Sequence, residues 1–360
     1  MQHMEYPKQL EQKKAALANA IGDCPVEVVS GAEYGYRNRM DFIFHSGGLG
    51  LRARGQWDRI IDVRRCRIAD ERINALLEQV RGAFPRPDFF DIKKRSGTFR
   101  YAIIRTSDEE SSISFVLSPK SSRLSQAIES IKSFAQESSA QNVLVTYVPQ
   151  DTEESVSSDY FVVKGSDLLH KAYLGKRFSY SVQAFFQNNH TLAERMQEYC
   201  RDVLSSFSCS EAHLLDLYGG VGTFGIVDAD LFKGVTIVES AQPAVEAAKR
   251  NIAGNGIKNA SAVLMDAKNL VRLDLPSPLF VITDPPRSGM DQKTIHTLNT
   301  LRPEAMVYIS CNVHQLKKDL MKLKRYRVAR AALFDLFPQT PHSEAIVLLE
   351  PLPAEKGSAA

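Results

Sequence analysis

Short apolar runs alternating with helix-patterned stretches fill the second half of the chain, and no other feature narrows the fold as far. HLLDLY, VTIVE, SAVLM, LFVITD and AMVYISC are too short for helices and too continuously apolar for strands with one wet face. Strands buried on both sides read this way, and they occur in parallel sheets whose crossovers pass through helices. Helical patterns over 244–255 and 314–324 lie between such runs. From about residue 178 the chain is therefore expected to form a doubly wound α/β sheet of the Rossmann-like kind. VARAALFDLF and SEAIVLLE are joined by a loop, Pro338 to His342, too short for a helix, which predicts a terminal antiparallel pair closing the sheet edge.

The first half has another texture. Residues 6–21 carry a helical pattern that closes at Gly22. MDFIF, RIIDV, FRYAIIRT, SISFVL, NVLVTYV and DYFVVK then read as strands of a mainly antiparallel α+β domain, with helices near 72–84 and 124–135. A chain of 360 residues exceeds one ordinary core, so two domains are expected. The boundaries are placed at 1–30 for a helix packing on the C-terminal domain, 31–177, 178–353, and a frayed tail at 354–360. Five scattered cysteines and no signal segment point to a cytoplasmic, reducing setting, and no run is long enough to span a membrane. A monomer is expected.

Charge is unevenly distributed. The whole chain carries only +3, yet residues 31–105 hold 16 Lys and Arg against 9 Asp and Glu, a local net of +7. Arg37, Arg39, Arg64, Arg65, Lys93, Lys94, Arg95, Arg100 and Arg105 belong to this stretch, with Tyr34, Tyr36, Trp57 and Phe99 interleaved. Phosphate contacts plus base stacking would use that mixture, and a solvated charged face would display it equally well.

Four places carry chemistry. DLYGGVGTFG contains Gly220, Gly222 and Gly225 at nucleotide-loop spacing after an apolar run, and Glu239 ends the next run 19 residues after Gly220. Glycines permit close backbone approach and an acidic strand end can bind a ribose, so an adenosine-containing cofactor is implied, nicotinamide dinucleotide and S-adenosylmethionine alike. Thr283-Asp284-Pro285-Pro286-Arg287 follows another buried run, its prolines fixing where Asp284 points, either as a finger for a planar base or as a helix cap. Ser310-Cys311-Asn312 ends at the same sheet edge, where Cys311 is either a small buried residue or a nucleophile. Glu344, 33 residues later on the terminal hairpin, is a solvated strand start or a base reaching the same pocket.

Together these motifs resemble the RNA uracil-5-methyltransferase family, which includes the bacterial tRNA uridine-54 enzyme and the 23S rRNA uracil enzymes. FFQNN (185–189) is similar to the family's Phe-x-Gln-x-Asn entry to the catalytic domain, and DLYGGVGTFG to its cofactor loop. TDPPRSG, SCN and HSEAIVLLE match its remaining motifs in order, and Tyr34 to Arg39 its opening of the RNA-binding domain. The resemblance implies a Rossmann-like class I methyltransferase domain with an N-terminal α+β RNA-binding domain. It implies S-adenosyl-L-methionine as cofactor, a tRNA or 23S rRNA partner, and contacts to cofactor or target base from Gln187, Tyr218, Thr223, Glu239, Asp266 and Asp284. It makes Cys311 the nucleophile and Glu344 the proton acceptor. Gln187 and Asp284 would orient the pyrimidine edge, and the target uridine would leave its stack to reach the crevice.

Many relatives hold an iron–sulfur cluster on three early cysteines plus a later one. Only Cys66 matches a cluster ligand here, and one thiolate cannot hold a cluster that needs four. Either the cluster has been dispensed with or the sequence lacks its true start; its absence, with that of an appended β-barrel, leans the expectation towards tRNA. A nicotinamide oxidoreductase would leave the ordered Asp-Pro-Pro-Arg, Ser-Cys-Asn and Ser-Glu elements unexplained. An N6-adenine or cytosine methyltransferase fits less well: the former typically carries an aromatic where Arg287 stands. A non-catalytic RNA-binding or RNA-folding protein would bind RNA and transfer nothing.

Overall fold

A computed structural model describes Met1 and residues 3–353. The tail expected to fray, 354–360, lies outside the described residues, as does the side chain of Trp57. In chain order the elements begin with α1 (Tyr6–Ile21) and β1 (Val26–Val29). β2 (Arg39–His45), β3 (Gly48–Ala53), β4 (Gln56–Asp62), α2 (Glu71–Ala83), β5 (Phe99–Thr106), β6 (Ser111–Leu117), α3 (Leu124–Glu137), β7 (Asn142–Tyr147) and β8 (Tyr160–Lys164) follow. A two-stranded ribbon, β9 (Leu168–Tyr173) and β10 (Lys176–Ser181), comes next. The remainder comprises α4 (His190–Ser205), β11 (His213–Leu217), α5 (Thr223–Val227), β12 (Gly234–Glu239), α6 (Gln242–Gly254), β13 (Ala260–Leu264), β14 (Leu279–Thr283), α7 (Gln292–Leu301), β15 (Ala305–Ser310), α8 (Val313–Leu320), β16 (Tyr326–Phe334) and β17 (Glu344–Pro351).

These divide into two compact units, one of 1–33, 172–178 and 189–360, the other of 34–171 and 179–188. The boundary expected at residue 178 is thus corrected: 179–188 belongs with the central unit. Arg105, buried there, donates to the carbonyls of Val182 at 2.8 Å and Ala184 at 2.7 Å, and Asn38 donates its backbone N–H to Asn188 and its side-chain amide to the Gln187 carbonyl. A buried guanidinium needs acceptors, and this segment supplies them.

The first unit is built on an eight-stranded sheet of order β13-β12-β11-β14-β15-β17-β16-β1. β11 to β15 run parallel, and β17 alone is antiparallel to its neighbours β15 and β16. The terminal pair does not close the edge as expected. β17 inserts between β15 and β16, and β1 adds outside, pairing parallel with β16. VEVV at 26–29 is too short to announce a strand by itself; tertiary pairing makes it one. α1 joins this core through Leu17, while Lys13 forms a buried ion pair with Asp335 at 2.5 Å.

The second unit is a seven-stranded sheet, β4-β3-β2-β5-β6-β7-β8, antiparallel except for the β6–β7 pair that α3 bridges. Ile73, Leu77 and Val80 of α2 and Ile131 and Phe134 of α3 bury one face of it with Phe42, Phe44 and Phe115. Asp70 starts α2 by accepting the Ile73 N–H at 2.9 Å.

Candidate active site

Parallel strands deliver their carboxyl ends to one edge of the first unit's sheet, where open α/β sheets bind ligands. At the end of β11, Tyr218 takes φ 59° and Gly220 φ 55°, turning the chain into α5, which begins after Gly222 at φ 88°. The loop lies tightly on β12: a Cβ at Gly219 would stand 2.5 Å from Ile237 Cγ2, and one at Gly225 2.9 Å from Ile237 Cγ1. A Cβ at Gly220 would meet nothing within 4 Å, so the loop is packed beneath and open at that point. Gly219 was not singled out in the sequence because it lies outside the Gly-x-Gly-x-x-Gly spacing.

Below the loop, the buried carboxyl of Asp216 accepts the Gly225 N–H at 2.9 Å. Burial pushes Asp216 up to about 7, against that hydrogen bond and with the charges of Asp284 and Glu239 adding to it. Glu239, half-buried at the end of β12, accepts the N–H groups of Gly220, Ser240 and Ala241 at 3.1, 2.6 and 2.8 Å. Those amides orient a carboxylate that keeps lone pairs for a ribose diol. Asp266, exposed beyond β13, caps the following turn through Lys268 N–H at 3.0 Å, and its ion pair with Lys268 keeps it below the usual carboxylate range. An adenosyl group suits this donor and acceptor set. Thr223 opens α5 half-buried, and burial raises the Tyr218 phenol.

The reacting groups meet three strands further along. The last β15–β17 pair is Ser310 with Ala345; Cys311 follows Ser310 and Glu344 precedes Ala345, and the charge of Glu344 acts on the Cys311 thiol. Glu344 is only 6 % exposed. Burial and then the neighbouring Asp284 raise its carboxyl well above the usual value, with Arg287 opposing. Cys311 is half-buried; burial, Glu344 and Asp284 push its thiol up to about 11, again against Arg287. Asp284 is pushed by burial to about 7, which leaves it partly protonated near neutrality. Its N–H donates to the Leu217 carbonyl at 3.2 Å, fixing this loop beside the cofactor loop.

Arg287 was quoted in the sequence only as part of a motif, yet it is the cation of this cluster. Asn312 holds it there by donating to its carbonyl at 2.9 Å. Buried Asp319 of α8 fastens the same loop, accepting Met290 N–H at 3.0 Å and the Tyr308 hydroxyl at 2.7 Å. A Cβ at Gly289 would stand 2.3 Å from its Oδ2. Gln187 belongs to the other unit, as does Phe185, quoted in the sequence only within FFQNN and 72 % exposed. Its neighbour Phe186 stacks on Tyr180 at 3.9 Å.

The basic stretch sorts into two kinds of residue. Arg64, Arg65, Lys93, Lys94 and Arg95 are exposed. Arg37 is half-buried, donating to the Arg39 carbonyl at 2.9 Å, and Arg39 is committed to Asp41 by two hydrogen bonds of 2.9 and 3.0 Å. Arg100 and Arg105 are 4 % and 2 % exposed and bond to backbone carbonyls, and Phe99 is core, so these three leave the RNA-facing set. Cys66 lies half-buried, its N–H on Asn74 Oδ1 at 2.9 Å. Among the described residues no group of three or more His, Cys, Asp or Glu could hold a metal ion. No described helix is long and apolar enough to cross a membrane.

Sheet order, the single antiparallel strand β17 and the glycine loop over Glu239 define a Rossmann-like class I methyltransferase domain, here with a separate α+β unit. The family model described as tRNA (Uracil-5-)-methyltransferase matches residues 5–352, and the chain belongs to that family: it is an S-adenosylmethionine-dependent RNA (uracil-C5)-methyltransferase. It is 31 % identical to an uncharacterized RNA methyltransferase of Caldanaerobacter subterraneus subsp. tengcongensis, over 97 % of this chain and 81 % of the relative. It is 28 % identical to the tRNA (uracil(54)-C(5))-methyltransferase of Pyrococcus horikoshii, over 97 % and 82 %. Among solved structures it is similar to the Pyrococcus abyssi tRNA (uracil-54, C5)-methyltransferase in complex with S-adenosyl-L-homocysteine, with TM-score 0.82 and 26 % identity over 97 % of this chain and 84 % of that one.

Proposed function

We propose that the chain methylates uridine 54 of tRNA, with Cys311 as nucleophile and Glu344 as base; the observation that carries the chemistry is that these two flank the last β15–β17 pair at a ligand-binding sheet edge, where the charge of Glu344 acts on the Cys311 thiol. Carbon 5 of uracil is a poor nucleophile. Attack of the Cys311 thiolate on carbon 6 moves an electron pair to the carbonyl oxygen and makes carbon 5 an enolate carbon. S-adenosylmethionine supplies the electrophilic methyl group. Asp284, poised near neutrality, donates a proton or hydrogen bond to the pyrimidine edge and stabilises the developing charge, with Gln187 the second candidate by resemblance. Arg287 favours the thiolate before addition. Glu344 then takes the proton from carbon 5, and breaking the carbon–sulfur bond restores the Cys311 thiolate. Glu239, Asp266, Tyr218, Thr223 and the amides of the Gly220–Gly222 loop are assigned to the cofactor. Exposed Arg64, Arg65, Lys93, Lys94 and Arg95 are assigned to phosphates.

The choice of tRNA rests on the two Pyrococcus relatives described as uracil-54 enzymes, 28 % and 29 % identical over 97 % of this chain. Incubating the protein with labelled cofactor and either a tRNA transcript or 23S rRNA, then mapping 5-methyluridine by mass, tests it. Label at position 54 of the tRNA is expected; label confined to rRNA would reassign the substrate.

A further inference from the structure

Helix α8 begins two residues after Cys311 and meets the loop that carries Asp284 and Arg287 through three side chains, Asn312, Gln315 and Asp319, spaced i, i+3 and i+7 on one helix face. Asn312 caps the helix, accepting the Gln315 N–H at 3.4 Å, and donates its side-chain amide to the Arg287 carbonyl at 2.9 Å. Gln315 donates to Asp319 Oδ1 at 2.9 Å. Asp319 Oδ2 accepts from the Met290 N–H at 3.0 Å and from the Tyr308 hydroxyl at 2.7 Å. Arg287 lies in a turn closed by the Gly289 N–H on the Pro286 carbonyl at 2.8 Å. The turn is thus held at Arg287 by Asn312 and just beyond its end, at Met290, by Asp319.

Stability alone does not call for a carboxyl at this place. Asp319 and Tyr308 are wholly buried, and Tyr308 belongs to the apolar core of the first unit with Met290, Leu316 and Leu323. An acid among apolar side chains carries a desolvation cost that apolar packing avoids, and what it supplies in exchange is direction, two donors fixed on one oxygen. Lys322 approaches Oδ1 only to 3.8 Å from an exposed side chain, so hydrogen bonds rather than an ion pair hold the acid. Burial, and then the bond to Asp319, raise the Tyr308 phenol, which stays a donor. The loop comes down on this face at Gly289, φ 80°, where a Cβ would stand 2.3 Å from Asp319 Oδ2 and 2.5 Å from Gln315 Cγ. Tyr308 lies on β15, three residues before Cys311. Asp319 therefore joins the strand that leads to the nucleophile to the loop that carries the cation, and bonds to none of the reacting groups itself.

We propose that Asp319 is a positioning residue for methyl transfer, fixing where the Arg287 turn stands against Cys311. The inference rests on the reading of Cys311 as the nucleophile, and adds the group that places its cation. The full chain is alkylated with iodoacetamide in the absence of RNA, and the rate at Cys311 is followed by peptide mass from about pH 7 to 9. Asp319→Ala should slow alkylation about threefold or more at each pH, as loss of a nearby cation does, while S-adenosylhomocysteine affinity stays within a few-fold. Asp319→Asn should restore the parent rate, because its amide oxygen still accepts from Met290 and Tyr308, with Gln315 turned to accept from the new amide. In an Arg287→Ala background, adding Asp319→Ala should change little, since both act through one cation. A parent rate in Asp319→Ala, or a slowing just as large without Arg287, would overturn the proposal. Should Asp319→Ala fail to bind S-adenosylhomocysteine, Gly289→Ala, which keeps the acid and pushes the turn off it, must show the same slowing dependent on Arg287; its absence overturns the proposal equally. In methyl transfer the loss should fall on kcat, with KM for RNA within a few-fold. An alkylation series that behaves as expected in a protein that methylates no uridine would refute the uridine-54 reading and leave Asp319 as the residue that places Arg287. A protein that methylates tRNA but in which the two substitutions add would do the reverse.

Discussion

A thiol pushed up to about 11 is almost wholly protonated at neutral pH, so Cys311 depends on its neighbours to become a nucleophile. Below that value the thiolate fraction grows tenfold per pH unit, so alkylation of Cys311 by iodoacetamide should quicken steadily from pH 7 to 10. Arg287→Ala, which removes the favourable cation, should slow it at every pH in that range, and equal rates would detach Arg287 from the cluster. Cys311→Ala should abolish methyl transfer while S-adenosylhomocysteine affinity by calorimetry stays within a few-fold; retained turnover would sink the covalent mechanism. Glu344→Gln separates the two halves of the reaction. Addition and methyl transfer do not need the carboxylate and removal of the carbon-5 hydrogen does, so a methylated protein–RNA adduct should survive denaturing electrophoresis and vanish in the double variant with Cys311→Ala. Normal turnover without an adduct would return Glu344 to the role of a strand start.

At the scale of elements, the cofactor loop works because β11, the loop and α5 approach β12 more closely than any side chain allows. Gly219→Ala sets a methyl group 2.5 Å from Ile237 Cγ2, so the loop must lift from the sheet. Cofactor affinity should fall tenfold or more by calorimetry; unchanged affinity would show the loop can yield. The parallel strands and α1 were legible because each carries its own period or apolar run. The edge strand β1 was not, since four residues of VEVV become a strand only against β16. Nor was the insertion of β17 between β15 and β16, which is a choice among pairings open to both segments.

Across the whole molecule, charge separates into a solvated part and a buried part that composition cannot distinguish. Neutralising exposed Lys93, Lys94 and Arg95 should reduce RNA affinity and flatten its dependence on salt, each lost phosphate contact removing about one unit or less from the log–log slope. A slope identical to the parent's would make this turn a solvated face only. Two buried acids, Asp216 below the cofactor loop and Asp228 at the end of α5, act on stability. Burial raises Asp216 to about 7 and Asp228 to about 8, above their ordinary 3.8, so the folded state binds more protons than the unfolded one between those values. Their contribution is full below about pH 4 and is lost as pH rises to about 8. The thermal midpoint of Asp228→Asn should therefore fall less than the parent's between pH 5 and 9, and parallel curves would contradict it. By itself the sequence determined the alternating α/β domain, the glycine loop and the motifs holding Asp284, Cys311 and Glu344, because periodicity, glycine spacing and apolar runs are local properties of a chain. Only the tertiary structure decided that Arg100, Arg105 and Phe99 are interior, that 179–188 belongs with the central unit, and that Arg287 completes the cluster around Cys311. Each of these depends on which distant carbonyl, strand or carboxylate a residue meets, and burial of charge is settled by those partners rather than by residue type.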